Sequence, residues 1–261
     1  MNNTTNNAAL EQALSLHRAG RLAEAGQIYR SILESNATHA DAWHLLGLVA
    51  LQTQRQQQAI EAISQAIAIT PSQVRYHADL GEAYRAGGQL SEARACYLRA
   101  LALSPAYVPA HYNLALALEA AREFLPAERH FREVLRLEPR HADAQAGLGN
   151  VLRAQKQPNE AAQAYQAALA LRPDFAAALN NFGSLLVELG RAAEGHAMLS
   201  RALQLAGPSS ETYCNLAHAH RVLRNPAAAL ASFHEALRLR PDDLVARWQL
   251  AGLLEILGNL S

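Results

Sequence analysis

Histidines and carboxylates are the side chains of this sequence that could carry acid–base or metal chemistry, and eleven histidines are present. His218 and His220 are two residues apart, so on a helix they point in different directions and cannot share a metal as an i, i+4 pair can. Gly147 and Gly149 are a fragment of a dinucleotide-binding motif, without its third glycine or a preceding strand. We therefore expect no catalytic residue, metal or cofactor in this chain, which would not be an enzyme.

Peptide binding through side-chain amides is a second possibility, because asparagines recur at equivalent positions of a 34-residue period. Asn113, Asn181 and Asn215 share one such position with Asp79. An amide carries both a donor and an acceptor, so it can bridge the backbone of a peptide whatever that peptide's side chains are. The alternative is that polar residues are only tolerated there on a solvated surface.

Arginine recurs in a neighbouring phase of the same spacing, in alternate repeats. A planar guanidinium can hold a carboxylate through two hydrogen bonds, whereas the alternative is pairing with a local glutamate. The predicted polar, moderately basic binding surface consists of Asp79, Asn113, Asn150, Asn180, Asn181, Asn215, Arg85, Arg153 and Arg221.

Prolines mark the elements that must position these residues. Pro71, Pro105, Pro139 and Pro173 are each 34 residues apart, and Pro241 falls two further periods along. We number the 34 residues of each repeat so that its proline is position 32. Small residues then fall at positions 8 and 20 and a large one at position 24, as in Gly149, Ala161 and Tyr165. Positions 4, 7, 8 and 11 share one helix face and positions 20, 24 and 27 share another, which predicts two packed helices per repeat.

The sequence resembles the tetratricopeptide repeat (TPR) family over almost its whole length. The resemblance implies an all-α, right-handed superhelical solenoid with seven full repeats and one further helix, whose first helices line the concave face. The asparagines at position 6 are similar to the ladder of bacterial O-linked N-acetylglucosamine transferase-like superhelices, which grips an extended polypeptide. Leu45 and Gly147 interrupt this ladder, and Asp79 and Gln249 match it only in part.

Domain boundaries follow from the period. We expect a disordered tail at 1–5 and a single solenoid at 6–261. Its repeats are 6–39, 40–73, 74–107, 108–141, 142–175, 176–209 and 210–243, with a partial repeat at 244–261.

Composition excludes several functional classes. The formal net charge is zero, whereas nucleic-acid binding requires a clustered basic excess. No apolar run approaches the ~18 residues that span a bilayer, and no signal peptide is recognisable. We therefore expect a cytoplasmic protein that uses neither nucleic acid nor a membrane span. Cys96 and Cys214 occupy non-equivalent positions, which favours two free thiols.

Three functions remain open. The first is a non-catalytic scaffold that binds an extended peptide or partner protein in the concave groove. The second is the substrate-recognition arm of a glycosyltransferase or other modifying enzyme, with its catalytic domain beyond residue 261. The third is a structural scaffold that self-associates through an exposed C-terminal helix, since Leu253 and Ile256 add to the apolar residues there.

Overall fold

A computed structural model describes residues 3–258 and places fifteen α-helices and no strand in that range. The prediction of an all-helical repeat fold is confirmed. The helices are α1 (Asn3–Arg18), α2 (Leu22–Ser35), α3 (Ala40–Gln52), α4 (Gln56–Ile69), α5 (Val74–Ala86), α6 (Leu90–Leu103), α7 (Val108–Ala120), α8 (Phe124–Leu137), α9 (Ala142–Ala154), α10 (Pro158–Leu171), α11 (Ala176–Glu188), α12 (Ala192–Ala206), α13 (Ser210–Val222), α14 (Pro226–Leu239) and α15 (Leu244–Gly258).

Helix starts follow the 34-residue period. From α3 onward, every odd-numbered helix begins at the first residue of a counted repeat: Ala40, Val74, Val108, Ala142, Ala176, Ser210 and Leu244. At the N-terminus, α1 begins at Asn3 and so includes part of the segment 1–5 that we expected to be a disordered tail. Residues 3–7 contain neither proline nor glycine, so nothing in the sequence interrupts the helix there.

The chain divides into two compact units, Met1–Leu137 and Glu138–Ser261, referred to below as the N-terminal and C-terminal units. In the N-terminal unit each odd-numbered helix packs on the even-numbered helix that follows it, and α3, α5 and α7 also contact one another in succession. The C-terminal unit repeats this arrangement, with α9, α11 and α13 in succession. These successive first helices form the surfaces on which the predicted site residues lie. The expectation of a single solenoid over 6–261 stays a prediction.

Close packing within a repeat depends on small residues facing large ones, as the sequence predicted. A Cβ atom added at Gly149 of α9 would lie 2.6 Å from Cε1 of Tyr165, a fully buried ring on α10. Between α11 and α12 the backbones are closer still, because a Cβ at Gly195 would lie 2.6 Å from the carbonyl oxygen of Gly183. A larger residue at either glycine would force the two helices apart.

The turn between the two helices of a repeat uses a left-handed residue at position 15. Gly20, Gly88 and Gly190 have the positive φ expected there, between 75° and 78°. Four non-glycine residues adopt the same conformation at the same position, with φ from 56° to 61°: Gln54, Arg122, Lys156 and Arg224. The repeat therefore imposes this conformation even where the sequence has no glycine to favour it. Gly258 falls at position 15 of the partial repeat 244–261 and is the last residue of α15.

Candidate functional site

Four asparagines of the C-terminal unit form a connected row of hydrogen bonds across α9, α11 and α13. Asn181 Nδ2 donates to Asn150 Oδ1 at 2.9 Å, and Asn180 Nδ2 donates to Asn181 Oδ1 at 3.2 Å. Asn215 Nδ2 donates to Asn180 Oδ1 at 3.1 Å, which extends the row to the next repeat. Four of the predicted site residues are thus brought together, including two of the three asparagines at position 6.

Flanking groups fix the orientation of this amide row. The Tyr165 hydroxyl donates to Asn150 Oδ1 at 2.8 Å from α10. Within the row, Asn180 Nδ2 also donates to Glu211 Oε1 of α13 at 2.9 Å. Asn180 is buried, whereas Asn181 and Asn215 are only half-buried. The buried amide therefore orients its two neighbours, which keep surface contact with solvent.

Hydrogen-bonding capacity remains on the two half-buried amides. A side-chain amide has two N–H donors and an oxygen with two lone pairs. Within residues 3–258, Asn215 makes one hydrogen bond through its nitrogen and none through its oxygen. Asn181 uses one donor and one lone pair. Each can therefore still offer both a donor and an acceptor to a ligand.

Asn215 also lines the cavity next to the row, which has a volume of about 630 Å³. This volume falls within the range of ~300–1,000 Å³ that is typical of ligand sites. The cavity is lined by Arg153, Ser184, Val187, Glu188, Ser209, Glu211, Cys214, Asn215, His218, Arg240, Asp243, Val245 and Gln249. Residues from α9, α11, α13 and α15 therefore contribute to one polar hollow.

The cavity carries both charges with a slight acidic excess, because Glu188, Glu211 and Asp243 face Arg153 and Arg240. Burial raises the pKa of the Cys214 thiol to about 11, and the carboxylates of Asp243 and Glu211 contribute in the same direction. This thiol is therefore protonated near neutral pH and is a poor nucleophile. Both cysteines are free, as predicted.

His218, at the cavity wall, has a pKa below its ordinary value because of burial and the nearby Arg221 guanidinium. Arg221 Nη2 donates to His218 Nδ1 at 3.2 Å, so this predicted arginine reaches the cavity only through the histidine. Near neutral pH His218 adds no charge to the cavity.

Arg153 lines the cavity directly and is held by the next repeat. Its Nη2 donates to Ser184 Oγ at 2.9 Å, and its guanidinium forms an ion pair with Glu188. The predicted pairing with a glutamate thus occurs, but with one that lies 35 residues further along the chain.

The remaining predicted residues lie in the N-terminal unit and form no amide row. Asp79 Oδ2 lies 2.6 Å from Nε2 of His44, whose side chain is only 4% exposed. Arg85 donates to Glu82 of its own helix at 2.9 and 2.5 Å. Asn113 is half-buried and makes no side-chain hydrogen bond within residues 3–258. In this unit Asp79 contacts a histidine of the preceding repeat and Arg85 pairs within its own helix, so neither belongs to a row of amides.

The sequence analysis did not predict the contacts of His44 with Asp79 and of Asn180 with Asn215, nor the bond from Asn180 to Glu211, which lies 31 residues away. The signal was available in the period, because His44 and Asp79 are 35 residues apart, as are Asn180 and Asn215. Both pairs join position 5 of one repeat to position 6 of the next. A search for complementary residues at this offset would have found both bridges.

Residues 3–258 contain neither a metal-binding cluster nor a membrane-spanning helix. In that range no group of three or more His, Cys, Asp or Glu side chains could hold a metal ion. No helix described there combines the length and apolar character needed to cross a membrane.

Comparisons with known proteins identify the repeat. A family described as TPR repeat matches residues 81–121 and 149–190, and two described as tetratricopeptide repeat match residues 10–74 and 210–243. A search of curated proteins found no match.

Solved structures share the fold at low sequence identity. The APC/C hetero-tetramer Cut9–Hcn1 contains a chain that aligns with a TM-score of 0.82 at 19% identity, over 93% of this chain and 48% of that one. This chain thus spans about half of that relative. PilF of Pseudomonas aeruginosa aligns with a TM-score of 0.73 at 21% identity, over 82% of this chain and 97% of PilF.

YrrB, described as a TPR protein with an unusual peptide-binding site, aligns with a TM-score of 0.58 at 22% identity, over 73% of this chain and 98% of YrrB. Identities this low establish the fold alone. Since the matched family segments together span more than half of the sequence and coincide with the helix pairs described above, the chain belongs to the tetratricopeptide repeat proteins.

Proposed function

We propose that this protein is a non-catalytic interaction module that binds an extended peptide across the amide row and cavity of its C-terminal unit. The observation that carries the proposal is the hydrogen-bonded row Asn150–Asn181–Asn180–Asn215, which reaches the cavity at Asn215. TPR proteins generally bind proteins or peptides without catalysis, and YrrB is described as having a peptide-binding site.

The chemistry of the row favours recognition of the peptide backbone. Asn181 and Asn215 each keep a donor and an acceptor, which match the C=O and N–H of a peptide unit. They are already oriented by Asn180 and Asn150, so little side-chain freedom is lost when a peptide binds. The slight acidic excess of the cavity adds a preference for a peptide with a basic side chain.

A peptide selected from a random displayed library on the full chain provides the test. We expect Asn181→Ala with Asn215→Ala to weaken its binding by at least tenfold, as measured by fluorescence anisotropy. Asn159→Ala, an exposed asparagine on α10, is the matched control and should leave affinity unchanged. N-methylation of the peptide backbone should also reduce binding, because it removes N–H donors. If every selected peptide bound the double variant and the parent with equal affinity, the proposal would be contradicted.

A second candidate function is self-association through α15, which exposes an apolar surface in the C-terminal unit. Trp248 is 77% exposed, and the other large exposed residues of this helix are Leu244, Val245, Leu254 and Ile256. The exposed residues of α1 include Asn7, Glu11 and Gln12, so its outer surface is polar. This difference favours pairing of α15 with α15 of a second copy over head-to-tail stacking.

Light scattering after size-exclusion chromatography over a hundredfold concentration range tests the second candidate. We expect dimers that dissociate in Trp248→Ser with Ile256→Ser. A parent that stays monomeric across the range would refute it.

The alternative of a recognition arm in a longer glycosyltransferase-like or other modifying enzyme rests on the similarity of the asparagine row. The gene sequence following residue 261 tests it. A catalytic domain encoded in the same reading frame would support it, and a stop codon there would exclude it.

A further inference from the structure

The N-terminal unit contains a second cavity, of about 690 Å³, that is separate from the peptide-binding cavity proposed above. It lies among α2, α3 and α4 and is lined by Arg30, Trp43, Leu46, Ala50, Arg55, Gln58, Glu61, Ala62 and Gln65. Its floor is apolar and comes mainly from α3, whereas its rim is polar and comes from α2, α4 and the residue before α4.

The hollow exists because one repeat has a small residue where other repeats have large ones. Ala50 occupies position 11, which in the other repeats from 74 onward holds Tyr84, Leu118, Leu152, Leu186, His220 and Leu254. Gly26 of α2 lies close to two of the lining residues, Arg30 and Leu46. A Cβ there would lie 3.7 Å from Arg30 Nη1 and 4.0 Å from Leu46 Cδ1, so the guanidinium lies back over the glycine next to the apolar floor.

The indole of Trp43 is an ordered part of this cavity. Its Nε1 donates to the Ala37 carbonyl at 2.9 Å, and the ring packs partly buried against the apolar clusters on both sides of α3. An aromatic surface held in this way can pack against a large apolar side chain without first being immobilised.

The rim carries an excess of positive charge. Arg30 and Arg55 are exposed, and neither forms an ion pair within residues 3–258. Within the same range, the Arg55 guanidinium donates only to the hydroxyl of Thr53, at 2.9 Å. The one acidic residue of the rim, Glu61, accepts a hydrogen bond from Gln57 at 3.0 Å. Arg55 also provides no side-chain cap for α4, so the positive end of that helix dipole adds to the field near Gln58.

We propose that this cavity binds a peptide segment in which a large apolar side chain lies next to a carboxylate. The apolar side chain packs between Trp43, Leu46 and Ala50. The carboxylate pairs with Arg30 or Arg55 at the rim, where no carboxylate within residues 3–258 pairs with either arginine. The site is independent of the amide row, so the protein would hold two peptide segments, one in each unit.

Selection of a random heptapeptide library on the full chain, followed by titration of the selected peptides, tests this proposal. Trp248→Phe leaves Trp43 as the single tryptophan, because the sequence has two. We expect selected peptides that combine Leu, Ile, Phe or Trp with a neighbouring Asp or Glu, and that change the emission of Trp43 as they bind.

Two kinds of variant complete the test. Arg30→Glu with Arg55→Glu should weaken binding at least tenfold, whereas Arg129→Glu, an exposed arginine on α8, should leave it unchanged. Ala50→Leu should abolish binding by filling the cavity. If that variant does not fold, the exposed rim variants still decide the question.

The outcomes separate this proposal from the function proposed for the C-terminal unit. Binding of these peptides should be unaffected by Asn181→Ala with Asn215→Ala. A library that yields no peptide sensitive to the rim variants would overturn the inference, as would rim-sensitive peptides that bind without changing the emission of Trp43.

Discussion

The N-terminal and C-terminal units build the same bridge between repeats from different chemistry. In the N-terminal unit, His44 of α3 contacts Asp79 of α5 at 2.6 Å. In the C-terminal unit, Asn180 of α11 accepts from Asn215 of α13 at 3.1 Å. Each bridge joins position 5 to position 6 of the next repeat. The repeat frame therefore determines which positions meet, and the residue types determine whether the meeting point stabilises the fold or stays available to a ligand.

The unused group of the histidine bridge is a buried ring nitrogen, whereas the unused groups of the amide bridge lie on the half-buried Asn215. His44 is buried and its Nδ1 has no partner, so Nε2 makes the only hydrogen bond of the ring within residues 3–258. The asparagine pair shares its bonds with Glu211 and Asn181 and keeps further donors and acceptors. The C-terminal unit is therefore the better candidate for a backbone-binding surface.

Removal of Asp79 should destabilise the protein more than removal of Asn215. Asp79→Ala leaves both ring nitrogens of a buried histidine unpaired, and we expect a loss of about 1–3 kcal/mol in the free energy of unfolding. Asn215→Ala removes one of several bonds to Asn180 and should cost only about 0.5–1.5 kcal/mol. Urea denaturation followed by circular dichroism measures both, and equal losses would contradict the distinction between the bridges.

The left-handed turns offer a second comparison between the units. Gly88→Ala should lower the free energy of unfolding by about 1 kcal/mol, because its φ of +76° is unfavourable for a residue with a Cβ. The added Cβ would meet no atom within 4 Å, so the cost comes from the backbone alone. Lys156→Ala, at the same position in the C-terminal unit, already has a Cβ and should change stability little. A matching loss in both variants, measured by thermal unfolding, would refute this explanation.

Acidification should destabilise the N-terminal unit through a histidine pair. His111 Nε2 donates to the Pro105 carbonyl at 2.8 Å, so its Nδ1 accepts from His130 Nδ1 at 2.9 Å. Burial lowers the pKa of His130 below 6.5, and His111 and Arg94 add smaller effects in the same direction. The Glu133 carboxylate has a smaller effect in the opposite direction. The unfolded chain therefore binds a proton more readily, and stability falls as the pH drops below about 6.5.

Melting temperatures at pH 7.5 and pH 5.0 in constant salt measure this effect. We expect a decrease of a few degrees for the parent and a smaller decrease for His130→Gln. His220→Gln in the C-terminal unit is the comparison variant, because the pKa of His220 is lowered by burial and by His196 without a hydrogen bond between the rings. An unchanged pH dependence in His130→Gln would exclude the pair as its source.

The smallest expected effect concerns the two thiols, one in each unit. Burial raises the pKa of Cys96 to about 11, with a contribution from Glu92, and the pKa of Cys214 is also about 11. Asp243→Asn should lower the pKa of Cys214 and increase its alkylation rate a few-fold at pH 8.5. Asp243 Oδ1 caps α15 by accepting from the backbone N–H groups of Ala246 at 3.0 Å and Val245 at 3.1 Å. The side-chain oxygen of the introduced asparagine can accept the same two hydrogen bonds. Cys96 is the internal control, and a parallel change at both thiols would indicate unfolding instead.

Much of the architecture could be predicted from the sequence because the period repeats the same steric requirement. The prolines and the small residues Gly149 and Ala161 indicated where helices end and where they approach closely. The left-handed conformation at Lys156 could not be read from its residue type, because the surrounding turn imposes it. Only glycine at this position gives a local signal.

The site was less predictable, because its properties depend on which side chains meet across repeats. Arg85 and Arg153 occupy the same repeat position, yet Arg85 pairs within its own helix and Arg153 pairs with Glu188 of the next repeat. The cavity beside Trp43 depends on the absence of a large side chain at Ala50. Such an absence becomes visible only when equivalent positions are compared across all repeats.

The recurrent left-handed turn also determines where a protease can begin to cut this protein. Arg122, Lys156 and Arg224 are exposed and lie at the turns between the helices of their repeats, outside the regular hydrogen bonding of either helix. Trypsin cleaves after arginine and lysine and favours exposed turns of this kind. Limited digestion should therefore release fragments that end between two helices of one repeat, and a bound peptide that clamps neighbouring repeats would slow their appearance.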